Sequence, residues 1–209
     1  MKALQTVVEL TAFFDDFSDN RNDWEIVENA DESARLEDGF YVMGNRCDGD
    51  WHYFDRACPG MDHTDWKLET VFKWKADGDM NHFGLVWGFG NRLDKLNRFS
   101  LSADGESATV MSFQKDHHRV YHRYNARGLR LGSEGIIRMT IFKRGNYFHF
   151  LINEQLIYVC HRDHFIAAGE RFGYYIEPQL QVRSGWIKWQ PLGTSSTYWN
   201  NHYDRLDAE

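Results

Sequence analysis

Residues 143–159, KRGNYFHFLINEQLIYV, alternate bulky and polar side chains around two dipeptides that are typical of tight turns. Successive side chains of a strand point to opposite faces, so Phe148, Phe150 and Ile152 share one face, and the intervening residues from Tyr147 onward share the other. Because the first face is entirely apolar, the pattern predicts a strand that buries one side. The stretch is therefore interpreted as scaffold rather than as a binding site.

The two dipeptides, Gly145-Asn146 and Asn153-Glu154, set the pairing register of this strand. A two-residue loop fixes which residues lie opposite each other in a hairpin. The predicted opposite pairs are Ile152 with Gln155, Phe150 with Ile157, Phe148 with Val159, Ile141 with Phe150, and Met139 with Ile152. Three adjacent antiparallel strands with a continuous apolar face follow from this register.

Composition supports a β-rich chain without a nucleic-acid or membrane partner. The 209 residues include eight Trp, ten Tyr, fifteen Phe and seventeen Gly but only three Pro, a mixture that favours strands and glycine turns over helices. The net charge of −7 opposes binding to nucleic-acid phosphates or to anionic lipid, since both need clustered Lys and Arg. The amino-terminal residues lack the long apolar run of a secretory signal or membrane span.

The three cysteines, Cys47, Cys58 and Cys160, are an odd number without paired spacing. Such cysteines are typical of free thiols in a reducing compartment rather than of a disulfide framework. We therefore expect a cytoplasmic protein.

Strand-like runs separated by turn signals recur along the chain, with Asp38-Gly39 and Asp104-Gly105 between alternating segments. Nothing marks a domain boundary before about residue 191, so residues 1–191 are predicted to form one domain, followed by a polar tail at 192–209. Each strand must bury one apolar face, which requires two packed sheets or a closed barrel. An all-β sandwich is the preferred prediction.

Several of these runs, taken in order, resemble the concanavalin A-like lectin/glucanase superfamily, in particular its bacterial laminin-G-like and 3-keto-disaccharide-hydrolase-like branch. They are FFDDFSDNRNDW at 13–24, HFGLVWG at 82–88, KRGNYFHFLINEQLI at 143–157, RFGYYIE at 171–177 and SGWIKWQ at 184–190. The family usually has Gly after the hairpin Asn, whereas this chain has Glu154. The resemblance implies a jelly-roll sandwich of two curved antiparallel sheets, with any ligand on the concave face.

Catalytic patterns are absent from the sequence. The Glu-x-Asp-x-x-Glu strand of the glucanases does not occur, nor does a Gly-x-Ser-x-Gly nucleophile elbow or a phosphate-binding glycine loop. We therefore predict no catalytic residues, although carboxylates from separate strands would leave a glycoside hydrolase as an alternative.

A metal site is also not predicted. His118 and His122 lie ~13 Å apart along a strand at ~3.3 Å per residue, too far to bind one ion together. Asp15-Asp16 could contribute to a structural calcium site, but solvated turn residues are the preferred interpretation. We predict no cofactor.

Aromatic and hydrogen-bonding side chains remain as candidates for ligand binding. In DWHYFDRA, alternation places Trp51, Tyr53 and Asp55 on one face, which is either the outward face or the core side. Alternation in LNRFSLS and YHRY adds Arg98, His122 and Tyr124 as outward-facing candidates. Sugars are commonly held by an apolar ring on their C–H face and by polar groups at their hydroxyls.

These six residues are predicted to contribute to one ligand-binding surface. The predicted function is a non-catalytic, lectin-like carbohydrate-binding domain. A protein-interaction or accessory module using the same surface is an alternative.

Overall fold

The computed structural model is an all-β sandwich of two antiparallel sheets, which confirms the predicted jelly roll. The structure describes residues 11–58, 61, 65–75, 80–90, 95–114, 117–129, 131, 134–165 and 169–192. Most of the predicted tail, residues 193–209, lies outside the described part of the chain. No helix among the described residues is both long enough and apolar enough to cross a membrane.

The strands among the described residues are two to twelve residues long. In chain order they are β1 (Phe13–Asp15), β2 (Val27–Glu28), β3 (Glu32–Glu37), β4 (Phe40–Asn45), β5 (His52–Ala57), β6 (Trp66–Lys75), β7 (His82–Phe89), β8 (Lys95–Ser102), β9 (Ser107–Gln114), β10 (His117–Asn125), β11 (Glu134–Arg144), β12 (Tyr147–Ile152), β13 (Gln155–His161), β14 (Arg171–Ile176) and β15 (Leu180–Pro191).

Within the described ranges, one sheet has the order β13-β12-β11-β6-β15-β4-β3-β2, with β1 also paired to β15. The other sheet has the order β10-β9-β8-β7-β14-β5. Two short 3-10 helices, Ala126–Leu129 and Arg162–His164, follow β10 and β13.

The predicted three-strand meander β11-β12-β13 is present, with one change of register. Ile141 pairs with Phe150, Met139 with Ile152, and Ile152 with Gln155, as predicted. The turn residues Asn153 and Glu154 both have positive φ, at 47° and 68°, which is the backbone shape of a two-residue hairpin loop.

Two predicted pairs of this hairpin are wrong. Phe150 pairs with Tyr158 instead of Ile157, and Phe148 pairs with Cys160 instead of Val159. The reason is a bulge between Phe150 and Leu151, where β13 contributes one extra residue. An extra residue moves every later pair along by one position.

The apolar face of β12 forms part of the core between the two sheets. Phe148, Phe150 and Ile152 are buried, whereas Tyr147 is exposed. The ring centroid of Phe150 lies 5.6 Å from that of Trp87 on β7 and 5.3 Å from that of Phe99 on β8. Aromatic contacts between the sheets therefore fix their relative position, and the scaffold interpretation of this stretch agrees with its burial.

The acidic pair near the amino terminus has a structural role. The buried carboxylate of Asp15 accepts hydrogen bonds from the Phe17 N–H at 2.8 Å, Asn22 Nδ2 at 2.7 Å and Trp24 Nε1 at 2.8 Å. Asp16 is exposed and accepts from the Ser18 N–H. These donors occupy the oxygens of Asp15 in the way that a carboxylate stabilises a tight loop.

Candidate functional site

The outer face of the six-stranded sheet, which points away from the other sheet, carries a cavity of about 610 Å³. We call this surface the concave face. Alternation along the strands separates it from the core: Phe54, Leu85 and Tyr174 pack inward, whereas Tyr53, Val86 and Tyr175 form a second cluster outside. The described lining comprises Trp51, Tyr53, Met80, His82, Leu96, Arg98, Ser107, Thr109, Met111, Phe113, His118, Val120, Arg123, Tyr175 and Glu177.

Contacts of Trp51 demonstrate the curvature of this face. Its ring centroid lies 6.4 Å from Tyr175 on β14 and 5.2 Å from Phe113 on β9. Trp51 directly precedes β5, which in the order of the sheet is four strand spacings from β9, or ~19 Å in a flat sheet. The sheet must curl for these rings to meet, and Trp51 therefore reaches across the cavity.

A close approach of two strands in this sheet depends on a glycine. Gly84 on β7 lies between Ser100 and Tyr175 in the pairing register. A Cβ atom at Gly84 would lie 2.2 Å from the carbonyl oxygen of Phe99, so any other residue would push β7 and β8 apart. The glycine also leaves this position of the concave face without a side chain.

Glu177 is the centre of the polar part of the cavity. Its Oε1 accepts from Arg98 Nη1 at 3.0 Å and from the Tyr175 hydroxyl at 2.7 Å. Its Oε2 accepts from the His82 N–H at 2.7 Å and lies 3.3 Å from His82 Nδ1. The carboxylate is therefore held in one orientation by three residues from three strands or their ends.

This arrangement keeps Glu177 ionised. Burial alone would raise the pKa of its carboxyl group, but the hydrogen bonds from His82, the charge of Arg98 and the hydrogen bond from Tyr175 lower that pKa to about 2. Burial raises the pKa of the Tyr175 and Tyr53 hydroxyls, so both stay protonated and can donate.

Arg98 connects the polar and aromatic parts of the cavity. Its guanidinium carbon lies 4.2 Å from the ring centroid of Tyr175, a cation–π contact, while its Nη1 pairs with Glu177. Tyr53 lies on the other side of Tyr175, with a centroid distance of 5.9 Å. Two tyrosine rings and the ring of Trp51 thus form an aromatic wall beside a fixed ion pair.

Three of the six predicted ligand-binding residues, Trp51, Tyr53 and Arg98, lie together in this cavity. Asp55 shares the face of Tyr53, as its position in β5 predicts, but its carboxylate pairs with the guanidinium of Arg171 on the neighbouring strand. Asp55 is not among the described residues that line the cavity.

The other two, His122 and Tyr124, face the opposite side of the sheet, so the six residues do not form one surface. The ring of His122 stacks on Tyr158 of β13, with centroids 4.4 Å apart, and Tyr124 packs against the core. A bulge between Val120 and His122 adds Tyr121 to the strand and reverses the alternation after it. Arg123 consequently faces the cavity instead.

Sequence reasoning did not identify Tyr175, Glu177 and His82 as site residues. The alternation of RFGYYIE does put Tyr175 and Glu177 on one face, and this signal was available. The pairing of Glu177 with His82 and Arg98 was not available, because it joins positions 95 and 79 residues apart.

A thiol, an imidazole and a carboxylate meet next to β5. The Sγ of Cys47 lies 3.4 Å from His52 Nε2, and His52 Nδ1 lies 2.8 Å from Glu32 Oε2. Partial burial and the neighbouring carboxylates raise the pKa of the Cys47 thiol, which disfavours the thiolate that a nucleophile needs. Among the residues that the structure describes, no group of three or more His, Cys, Asp or Glu could hold a metal ion.

Comparison with known proteins supports the fold. No family model matches the sequence, and comparison with curated proteins gives no sequence relative. A solved glycosidic hydrolase superimposes with a TM-score of 0.64 at 13% identity, covering 90% of this chain and 99% of that one.

Two further solved structures are similar over most of their length. The β-glucanase of Bacillus licheniformis has a TM-score of 0.60 at 7% identity, covering 87% of this chain and 98% of that one. The CBM2 module of the evolved Dit protein of Lactobacillus casei BL23 phage J-1 has a TM-score of 0.59 at 7% identity, covering 87% of this chain and 96% of that one. The chain thus has a jelly-roll sandwich fold.

Proposed function

We propose that this protein is a non-catalytic, lectin-like carbohydrate-binding domain whose ligand occupies the cavity of the concave face. One observation carries the proposal: the aromatic wall of Trp51, Tyr53 and Tyr175 lies directly beside the fixed Arg98–Glu177 pair. An aromatic face binds the C–H side of a sugar ring, while oriented donors and acceptors select its hydroxyls.

Preorganisation of the polar groups supports binding of a hydroxyl-rich ligand. Hydrogen bonds from Arg98, Tyr175 and His82 hold Glu177 in one orientation, and the Tyr53 hydroxyl is a protonated donor. Groups that are already oriented lose little side-chain entropy when a ligand arrives. The similarity to a CBM2 module is consistent with this proposal, although it concerns the fold.

The electrostatics of the cavity disfavour glycoside hydrolysis. A glycosidase uses two carboxyl groups across the scissile bond, one of them protonated at working pH. The described lining contains one carboxylate, Glu177, and its pKa of about 2 makes it a poor general acid.

The proposal also includes a family branch and a cellular compartment. The order of the five motifs supports membership of the bacterial laminin-G-like and 3-keto-disaccharide-hydrolase-like branch. The three free cysteines, two of them buried, support a reducing cytoplasmic setting.

A glycan array followed by calorimetric titration tests the proposed function. We expect binding of a defined group of oligosaccharides by the wild-type protein and its loss on substitution within the cavity. No glycan signal above background, together with co-purification of a specific protein partner, would overturn the proposal in favour of an interaction module. Release of reducing sugar, abolished by substituting one carboxylate, would overturn it in favour of an enzyme.

A further inference from the structure

The described lining of the cavity carries a local positive charge on a chain whose net charge is −7. Arg98 and Glu177 neutralise each other at 3.0 Å, and the described lining contains no second carboxylate. Arg123 also lines the cavity, is exposed, and forms no ion pair with any other residue of the described chain. One permanent positive charge is therefore left without a partner.

We propose that the saccharide bound in this cavity is acidic and that Arg123 binds its carboxylate. This inference rests on the proposed function and narrows it to uronic-acid-containing glycans. The planar guanidinium group matches a carboxylate through two parallel N–H···O bonds. A single unpaired Arg balances the single charge of a carboxylate better than the higher charge of a phosphate group.

The pairing register places Arg123 on β10, four strand spacings from Tyr175 on β14. Arg123 lies opposite Thr109, which pairs with Ser100, and the row continues through Gly84 to Tyr175. Small side chains and a glycine thus separate the guanidinium from the tyrosine rings. A sugar that stacks on the exposed ring of Trp51 can extend along this row towards Arg123.

The bulge in β10 is what gives Arg123 this orientation. Val120 and Arg123 both line the cavity although they are three positions apart, which regular alternation forbids. Bulges often re-aim a side chain next to a functional site. His118, also exposed, adds a second nitrogen-bearing side chain to the same strand and cavity.

Two ligands that differ in their carboxyl groups test whether the cavity prefers an acidic saccharide. The probes are a hexuronic acid trisaccharide and its carboxyl-reduced, neutral counterpart with the same linkage, each titrated calorimetrically. We expect the acidic probe to bind about ten-fold more tightly, a difference of the size expected for one charged hydrogen-bonded contact. The preference should decrease with added salt, because Arg123 is exposed and its interaction is screened.

Substitution of Arg123 tests whether this residue causes the preference for the acidic probe. In Arg123→Ala the acidic probe should lose about ten-fold in affinity and the neutral probe should be unaffected. Arg123→Lys should recover part of the loss, since it keeps the charge without the planar fork. The matched control is Arg127→Ala, because Arg127 is exposed, pairs with Glu106 and is not among the described lining residues.

The possible results distinguish failure of this inference from failure of the proposed function. Equal affinity for both probes, or an acid preference that survives in Arg123→Ala, would overturn the inference and leave carbohydrate binding intact. Tighter binding of a sulfated trisaccharide than of the uronic acid would overturn the assignment to a carboxylate. Failure to bind either probe or any glycan on an array would overturn the proposed function itself.

Discussion

Arg98 and Glu177 form an ion pair of 3.0 Å in the floor of the cavity, although they lie 79 residues apart in the chain. The guanidinium group also lies over the ring of Tyr175, whose hydroxyl donates to the same carboxylate. Charge, hydrogen bond and aromatic contact therefore depend on one another. A change at either partner should alter both stability and the shape of the site.

Acidification should destabilise the protein through Glu177. The pKa of this group is lowered from 4.5 to about 2 in the folded state, so its contribution is fully present above about pH 4.5 and is lost as pH falls towards 2. The shift corresponds to at most about 3 kcal/mol of unfolding free energy. Urea denaturation at several pH values between 7 and 2 measures this loss.

The variant Glu177→Gln isolates that contribution. It should be less stable than the wild type at pH 7 and should lose less stability between pH 5 and pH 2. Glu154→Gln is the matched control, because its side chain is 80% exposed and its pair with Arg138 lies on the surface. An identical pH dependence in Glu177→Gln and the wild type would contradict the role of this carboxylate.

Loss of the ring of Trp51 should weaken glycan binding without unfolding the protein. Trp51 is 40% exposed, and its ring spans the cavity between Tyr175 and Phe113. We expect Trp51→Ala to cost about 1–3 kcal/mol of binding free energy, as for an aromatic anchor. Calorimetric titration with the best array ligand gives the value, and circular dichroism monitors the fold.

Tyr147→Ala is the control for this measurement. Tyr147 is also an exposed aromatic residue, at 47%, but it belongs to β12 in the other sheet. Its replacement should leave binding unchanged. Equal losses of affinity in the two variants would place the ligand away from the concave face.

Tyr147→Ala is also the control for the prediction that Phe150 belongs to the core. Its side chain is completely buried and contacts Trp87 and Phe99 across the sandwich. Phe150→Ala should reduce the unfolding free energy by about 3–5 kcal/mol, because it leaves a cavity among rings. Tyr147→Ala should cost much less, and chemical denaturation that gave equal losses would disprove the assignment of faces.

Short-range rules predicted the β11-β12-β13 meander, because hairpin register depends on nearby turn residues and on a strong apolar pattern. They were wrong where a bulge intervened: Ile157 is no longer opposite Phe150, and His122 and Tyr124 turn towards the core. A bulge is one extra residue in one strand, and contacts between strands determine its position. Regular alternation cannot reveal it.

Long-range pairing limited the prediction of the site. Alternation along their own strands was enough to place Trp51, Tyr53 and Arg98 on the face that carries the cavity. Glu177 was missed because its role comes from partners on β7 and β8 that only the folded sheet brings together. Asp55 was selected for its face, yet the strand beside it supplies Arg171 as its partner.

The three cysteines should differ in reactivity and contain no disulfide. Cys58 and Cys160 are buried, and burial raises the pKa of each thiol to about 12, so neither exposure nor ionisation favours attack. Cys47 is half-buried and should react first with iodoacetamide at pH 8, even though its pKa is also raised.

Mass spectrometry without reductant measures the labelling of the three cysteines in native protein. Labelling in guanidinium chloride, where all three should react, is the control. Native labelling of Cys58 as fast as that of Cys47 would contradict the burial argument. A bridge between Cys47 and Cys58 in gently purified protein would argue instead for an oxidising compartment.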